Sequence, residues 1–342
     1  MMSLKKKTII SILLFLFTFL LTSCNTSTTT TTLEDTSKWT RTPTNDVTTF
    51  KPIVDEEDYS YIRHRVYGDS ESLTAYDIYF PNNYSEYETL NTVLFIHGGA
   101  WISESKETYT SFVLKIAKEL FRNDKACCVV NLNYRLISMN NDSASIYDML
   151  DDIEDCMLDV KALLESNGIE LGKVMIGGHS AGGHLSLLYG YKKNNEALVK
   201  VDCVYSLSGP TDMKFEVYSQ IATNLLSSFY PQLGTTEGVM FLAMKATNTS
   251  TPEDMFNGLI DVSPINYGDS ALPTLIFHGD TDDIVPIENS RSLKDELILN
   301  GVYVELNELQ GKNHLDTMNY ELLNEFGFMT KFISFYETYI ES

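Results

Sequence analysis

Six short apolar runs punctuate the chain: TVLFIHGG (92–99), ACCVVNLNYRL (126–136), KVMIGGHS (173–180), VDCVYSLSG (201–209), PTLIFHGD (273–280) and VYVELNEL (302–309). Most are apolar at successive positions rather than alternate ones, as strands are when both faces of a parallel sheet are covered. Between them, 106–121, 144–167, 181–193 and 286–300 repeat apolar residues at i, i+3 and i+4, the period of a helix with one buried face. Gly168 and Gly301 stand where such helices should stop. Upstream, RHRVYG and LTAYDIYFP read as a leading antiparallel pair. Strand and helix alternating in this way predict one α/β domain over 51–342, built on a mostly parallel, doubly wound sheet without internal repeats.

One segment interrupts the rhythm. Residues 211–268 lie between two predicted strands and are far longer than an ordinary connection, which predicts a helical cap or lid. Helical stretches are expected at 217–229 and 237–246. Phe215, Tyr218, Phe229, Tyr230, Met240, Phe241 and Met244 offer an apolar wall for an acyl or aryl group, or else simply pack the insertion onto the sheet.

Within this frame Gly178-His179-Ser180-Ala181-Gly182 fits G-x-S-x-G. A five-residue match carries little by itself. It gains meaning because KVMIGG before it reads as a buried strand and AGGHLSLLYGYKK after it as a helix, a junction whose sharp turn lifts a serine oxygen clear of the backbone. Ser180 is therefore the expected nucleophile. A serine hydroxyl needs a base, and the base needs a third group to hold its tautomer. On this scaffold the chain order is serine, acid, histidine. Of the six histidines (64, 97, 179, 184, 278 and 314), only His314, in GKNH past the last predicted strand, follows every candidate acid in the late loops. Asp280, Asp282 and Asp283 all follow PTLIFHG, and spacing alone does not rank them; Asp212, after the preceding strand, is the outside candidate. Ala181 supplies a backbone N–H directly after the nucleophile. HGGAW (97–101) follows a strand at the position of the loop that supplies further donors to a tetrahedral oxyanion.

The first residues lie apart from this domain. Lys5-Lys6-Lys7 followed by the apolar run Thr8 to Leu21 has the layout of a signal peptide, shorter than the roughly 20 apolar residues of a membrane span. Leu21-Thr22-Ser23-Cys24 resembles a bacterial lipobox, which implies a signal peptide over 1–23, lipid on Cys24 and an extracytoplasmic enzyme anchored to a bacterial membrane. The threonine-rich stretch 24–50 suits a solvated tether. A formal charge of −22 argues against nucleic acid as a partner. Cys127, Cys128, Cys156 and Cys203 fall in apolar patterns and read as buried thiols, although an exported chain could pair two of them. No C-x-x-C spacing occurs, and nothing in the pattern asks for a metal or a cofactor.

Taken together, HGGAW, NYRL, GHSAGGHLS, SPINY, HGDTDDIVP and GKNH resemble the α/β-hydrolase superfamily in order and spacing from about residue 60 onward. The likeness is greatest to its carboxylesterase, feruloyl-esterase-like and kynurenine-formamidase-like branch. That resemblance implies the α/β-hydrolase fold and a serine esterase. Its H-G-x-x-D-x-x-V-P pattern, laid on 278–286, selects Asp282 as the acid beside Ser180 and His314. It likewise implies an oxyanion hole of Gly98, Gly99 and Ala181, a pocket position for Trp101, and loop-shaping roles for His97 and His278. ISESK after HGGAW lacks the glycine often found there, and the insertion carries no motif. The expected reaction is hydrolysis of a carboxylic ester, with acyl groups on carbohydrates and other small esters as substrates. A formamidase, other amidase or peptidase is the alternative enzyme, and a surface-binding protein without activity the alternative from another class.

Overall fold

A computed structural model describes residues 53–54, 59–69, 73–138, 143–229 and 234–342. The expected signal peptide 1–23, the lipid site Cys24, the tether 24–50 and Tyr230 lie outside the described residues.

Among the described residues nine strands form one sheet: β1 (Ile53–Val54), β2 (Tyr59–Val66), β3 (Ala75–Pro81), β4 (Thr89–Ile96), β5 (Cys127–Leu132), β6 (Glu170–His179), β7 (Cys203–Leu207), β8 (Thr274–Gly279) and β9 (Val304–Leu309). The order is β1-β2-β3-β5-β4-β6-β7-β8-β9. β1 to β3 and the β3–β5 junction are antiparallel, and every pair from β5 to β9 is parallel. The six apolar runs are the six parallel strands; β4 and β6 begin three residues earlier than their runs, and the other four are trimmed by up to four residues at an end. The leading antiparallel pair is β2 and β3.

Successive side chains of a strand point to opposite faces, and both faces are covered. In β4, Leu94 and Ile96 join one core and Val93 and Phe95 the other. The first core is closed by α2 (Ile146–Ser166), α3 (Ala181–Tyr191) and α7 (Glu288–Leu299), the second by α1 (Lys106–Arg122) and α9 (Phe328–Tyr339). α9 and the short α8 (Tyr320–Glu325) were not expected from the sequence pattern. α9 places Phe328, Phe332 and Phe335 against the sheet, each side chain worth about 1.5–3 kcal/mol of burial. All four described cysteines are buried and free, and burial holds their thiols above the ordinary range, protonated and inert.

The insertion is helical: α4 (Phe215–Phe229), α5 (Thr236–Ala246) and α6 (Pro252–Asp261), the last not foreseen. Its two ends are stitched together. Met213 N–H donates to Ser263 Oγ at 2.8 Å and Ile265 N–H to the Thr211 carbonyl at 3.1 Å, so SPINY closes the loop that the insertion opens.

Two adjacencies position the site. β4 and β6 are neighbours, with Ile96 paired to Gly178, so the loop after β4 lies beside the turn after β6. The loops after β8 and β9 leave the same carboxyl edge of the sheet, where ligands of open α/β sheets bind.

Candidate active site

Ser180 caps α3 at φ 53°, ψ −118°, a region sparsely populated by residues with a Cβ and costing about 1–3 kcal/mol. The surroundings impose it: Ser180 N–H donates to the Leu207 carbonyl at 2.8 Å, while its own carbonyl accepts the His184 N–H at 3.0 Å. A Cβ on Gly178 or Gly182 would collide with the Ile96 carbonyl oxygen. Only glycine lets β6 and α3 run this close to β4.

Three predicted residues from three loops meet at this point. Ser180 Oγ is 2.9 Å from His314 Nε2, and His314 Nδ1 is 2.7 Å from Asp282 Oδ2. All three are nearly buried, at 6%, 3% and 8% exposure, so little water competes for these contacts. Asp282 Oδ1 accepts from the N–H groups of Ile284 (3.0 Å) and Val285 (2.8 Å). Burial works to raise the Asp282 pKa, but hydrogen bonds from His278 and His314 prevail and hold the carboxyl well below the usual range. The other acids weighed from the sequence lie elsewhere. Asp280 accepts the Gly311 N–H at 2.5 Å, Asp212 bonds Lys214, and the Asp283 carbonyl accepts from Asn224.

The HGGAW loop turns through three consecutive residues of positive φ, Gly99 (97°), Ala100 (55°) and Trp101 (64°). Gly98 is packed so closely that a Cβ would meet the Tyr109 hydroxyl at 2.7 Å. The loop is braced from β5. Tyr134 stacks on His97 with ring centroids 4.3 Å apart, and its hydroxyl lies 3.1 and 3.3 Å from the His97 and Gly98 carbonyls. Sequence reasoning quoted NYRL without giving Tyr134 a task; its position just after a buried strand was the available signal. Trp101 packs edge-on against His184 at 5.2 Å.

Above Ser180 opens a pocket lined by Ala100, Trp101 and Ile102, by Ile137, Pro210, Ile284 and Val285, and by Tyr218, Ile221, Ala222 and Leu242 of the insertion. Of the insertion residues expected to form this wall, Tyr218 does. Phe215, Met240 and Met244 do not line it; they are half-buried against the same apolar cluster that holds Tyr218, and Phe215 stacks edge-on with Phe256 at 5.2 Å.

Three more histidines surround the site as buried neutral rings. Burial lowers His97 and His184 from an ordinary 6.5 to about 4. His179 falls to about 3, through burial and then the adjacent His314 ring. Its partners settle the proton: Nε2 faces the His314 carbonyl at 3.2 Å and donates, while Nδ1 accepts from the Tyr109 hydroxyl at 2.9 Å. Because the unfolded chain protonates these rings below pH 6.5 and the native one does not, stability is present above that pH and drains away as pH falls toward 4. Asp152, raised by burial to about 6, gains its proton in the native state and offsets part of the loss. Asp155 and Asp202, also raised by burial, act in the same sense as Asp152, and the expectation is a loss on the order of a few kcal/mol between pH 7 and 5. Denaturant midpoints at the two pH values measure it, and an unchanged midpoint contradicts it.

A family model, BD-FAE, matches residues 76–297, well over half of the chain. The chain belongs to the BD-FAE family. Among relatives of this BD-FAE member, the isoprenylcysteine alpha-carbonyl methylesterase ICME of Arabidopsis thaliana is 23% identical, over 75% of this chain and 58% of its own length. The non-reducing polyketide synthase atr1 of Stereocaulon alpinum is 21% identical, over 74% of this chain and 12% of its own. The chain thus spans less than two thirds of either relative. A truncated carbohydrate esterase from gut microbiota superposes with a TM-score of 0.59 at 20% identity, covering 82% of this chain and 99% of that structure. The shared fold is the α/β-hydrolase fold, as the motif order implied.

Proposed function

We propose that this BD-FAE member is a serine hydrolase that cleaves carboxylic esters through an acyl-enzyme on Ser180. The observation that carries the reading is the buried relay from Ser180 through His314 to Asp282, opening onto an apolar pocket. Similar proteins favour esters over amides: one is a methylesterase, and a structural neighbour is a carbohydrate esterase.

In this reading His314 Nε2 accepts the Ser180 proton as Oγ attacks the ester carbonyl. Asp282 keeps the proton of His314 on Nδ1 and stabilises the imidazolium that forms. The backbone N–H groups of Gly98, Gly99 and Ala181 receive the oxyanion, each donor worth roughly 3 kcal/mol at the transition state. His314 then returns its proton to the departing alcohol. A water molecule, deprotonated by the same ring, hydrolyses the acyl-enzyme. Trp101, Tyr218 and Leu242 give the acyl group an apolar wall.

A panel of p-nitrophenyl esters of increasing acyl length, with acylated sugars, N-formyl amides and proline peptides alongside, tests the proposal. Ester turnover exceeding amide turnover by at least a hundredfold in kcat/KM is expected. Faster turnover of an amide, or none of any substrate by folded protein, overturns it.

A further inference from the structure

His278 lies in β8, four residues before the acid, and the sequence assigned it only to the shape of its loop. Its contacts say more. Nε2 is 2.8 Å from the Val285 carbonyl and 3.2 Å from Asp282 Oδ2, while Nδ1 is 2.7 Å from Ser290 Oγ at the start of α7. Both neighbours of Nε2 are acceptors, so that nitrogen carries the proton. Nδ1 is then a lone pair, and the Ser290 hydroxyl donates to it. His278 and Ser290 are fully buried or nearly so, which leaves no water to substitute for either partner. The single Nε2–H donates to the nearer Val285 carbonyl and is shared with Asp282 Oδ2, which also takes the His314 N–H, while Oδ1 takes two backbone N–H groups.

We propose that His278, its tautomer fixed by Ser290, is a positioning residue for the acid, its Nε2–H holding Asp282 Oδ2 at the His314 ring. The inference rests on the reading that Asp282 and His314 serve Ser180. Two effects follow from the geometry. The second donor locks the carboxylate against rotation. It also draws charge from the oxygen that pairs with His314. The other titratable groups around the pair are accounted for. The His179 ring faces His314 at 4.9 Å and is neutral. Glu308 on β9, opposite His278, is paired with Arg291, and Asp280 and Asp316 bond the N–H groups of Gly311 and Asn313. Asp283, adjacent to the acid in the same loop, is common to every variant compared below.

His278→Met removes the donor at similar volume, His278→Gln returns an N–H near the Nε2 position, and Ser290→Ala removes the tautomer lock. Two readouts are taken in the full chain: kcat and KM on a p-nitrophenyl ester, and the His314 pKa by NMR titration without substrate. For His278→Met the expected results are a kcat about 10- to 100-fold lower with little change in KM, the value of one hydrogen bond to a charged group, and a His314 pKa about one unit higher. His278→Gln should restore both most of the way, and Ser290→Ala should fall between. A role in packing alone moves stability but not the His314 titration. A folded His278→Met protein with wild-type kcat and titration overturns the inference, as does His278→Gln behaving like Met at equal Tm. Should the Met variant not fold, Ser290→Ala decides: wild-type kcat and titration overturn the proposal, and a raised His314 pKa with lowered kcat supports it. A wild-type protein that hydrolyses no ester, yet whose His314 pKa rises in His278→Met, retains the positioning role and loses the hydrolase reading.

Discussion

Ser180→Ala is expected to lower kcat about 10⁶-fold, the loss seen when a nucleophile acting as one unit with its base is removed. The fold should hardly notice. Alanine keeps the Cβ, so the strained turn at φ 53° is unchanged, and only the 2.9 Å contact to His314 is lost. A residual rate about 10³- to 10⁴-fold above the reaction in water should survive, because the oxyanion donors and the pocket remain. A fluorophosphonate should label wild-type protein at Ser180, read by mass spectrometry of the adduct, and leave the variant unlabelled. Activity within tenfold of wild type, or an adduct on another residue, removes Ser180 from the mechanism.

Asp282→Asn should cost about 10⁴-fold in kcat with the geometry nearly intact. The amide fits the same space, but its N–H₂ can face the N–H on His314 Nδ1, and the ring then turns to the tautomer that cannot take the serine proton. Asp280→Asn, Asp283→Asn and Asp212→Asn should each stay within a few-fold of wild type, since none of these carboxylates bonds His314. Comparing kcat for the four variants at equal folding settles the assignment. A crippled Asp212→Asn beside a healthy Asp282→Asn would move the acid to the loop after β7. The pH dependence carries a second sign. Hydrogen bonds hold Asp282 ionised well below the usual carboxylate range, so Asp282 should add no limb of its own to the kcat/KM profile above the pH where the fold itself fails.

The pattern of apolar positions determined a good deal. Continuous runs such as TVLFI and KVMIGG must be covered on both faces, which is a parallel sheet between helices, and hydrophobic spacing is a local property that survives without knowing the neighbours. Glycines at 178 and 182 around Ser180 announced a strand-to-helix turn with no room for side chains, and the scaffold's order of serine, acid and histidine left His314 as the base. The choice of Asp282 over Asp280 and Asp283 came from the register of a longer motif, not from spacing. Other features depend on docking, which no local pattern encodes. The insertion was visible, but its helical phase was not; the wall over Ser180 is Tyr218, Ile221, Ala222 and Leu242, while Phe215, Met240 and Met244 stay off the pocket and half-buried. The meeting of HGGAW with the serine turn required β4 and β6 to be neighbours, a fact of strand order. The resemblance implied only a loop-shaping role for His278, whose partners stand at 282, 285 and 290. Only the folded turn after β8 brings a second imidazole onto the carboxylate that His314 uses, and only burial of both rings gives that contact its strength.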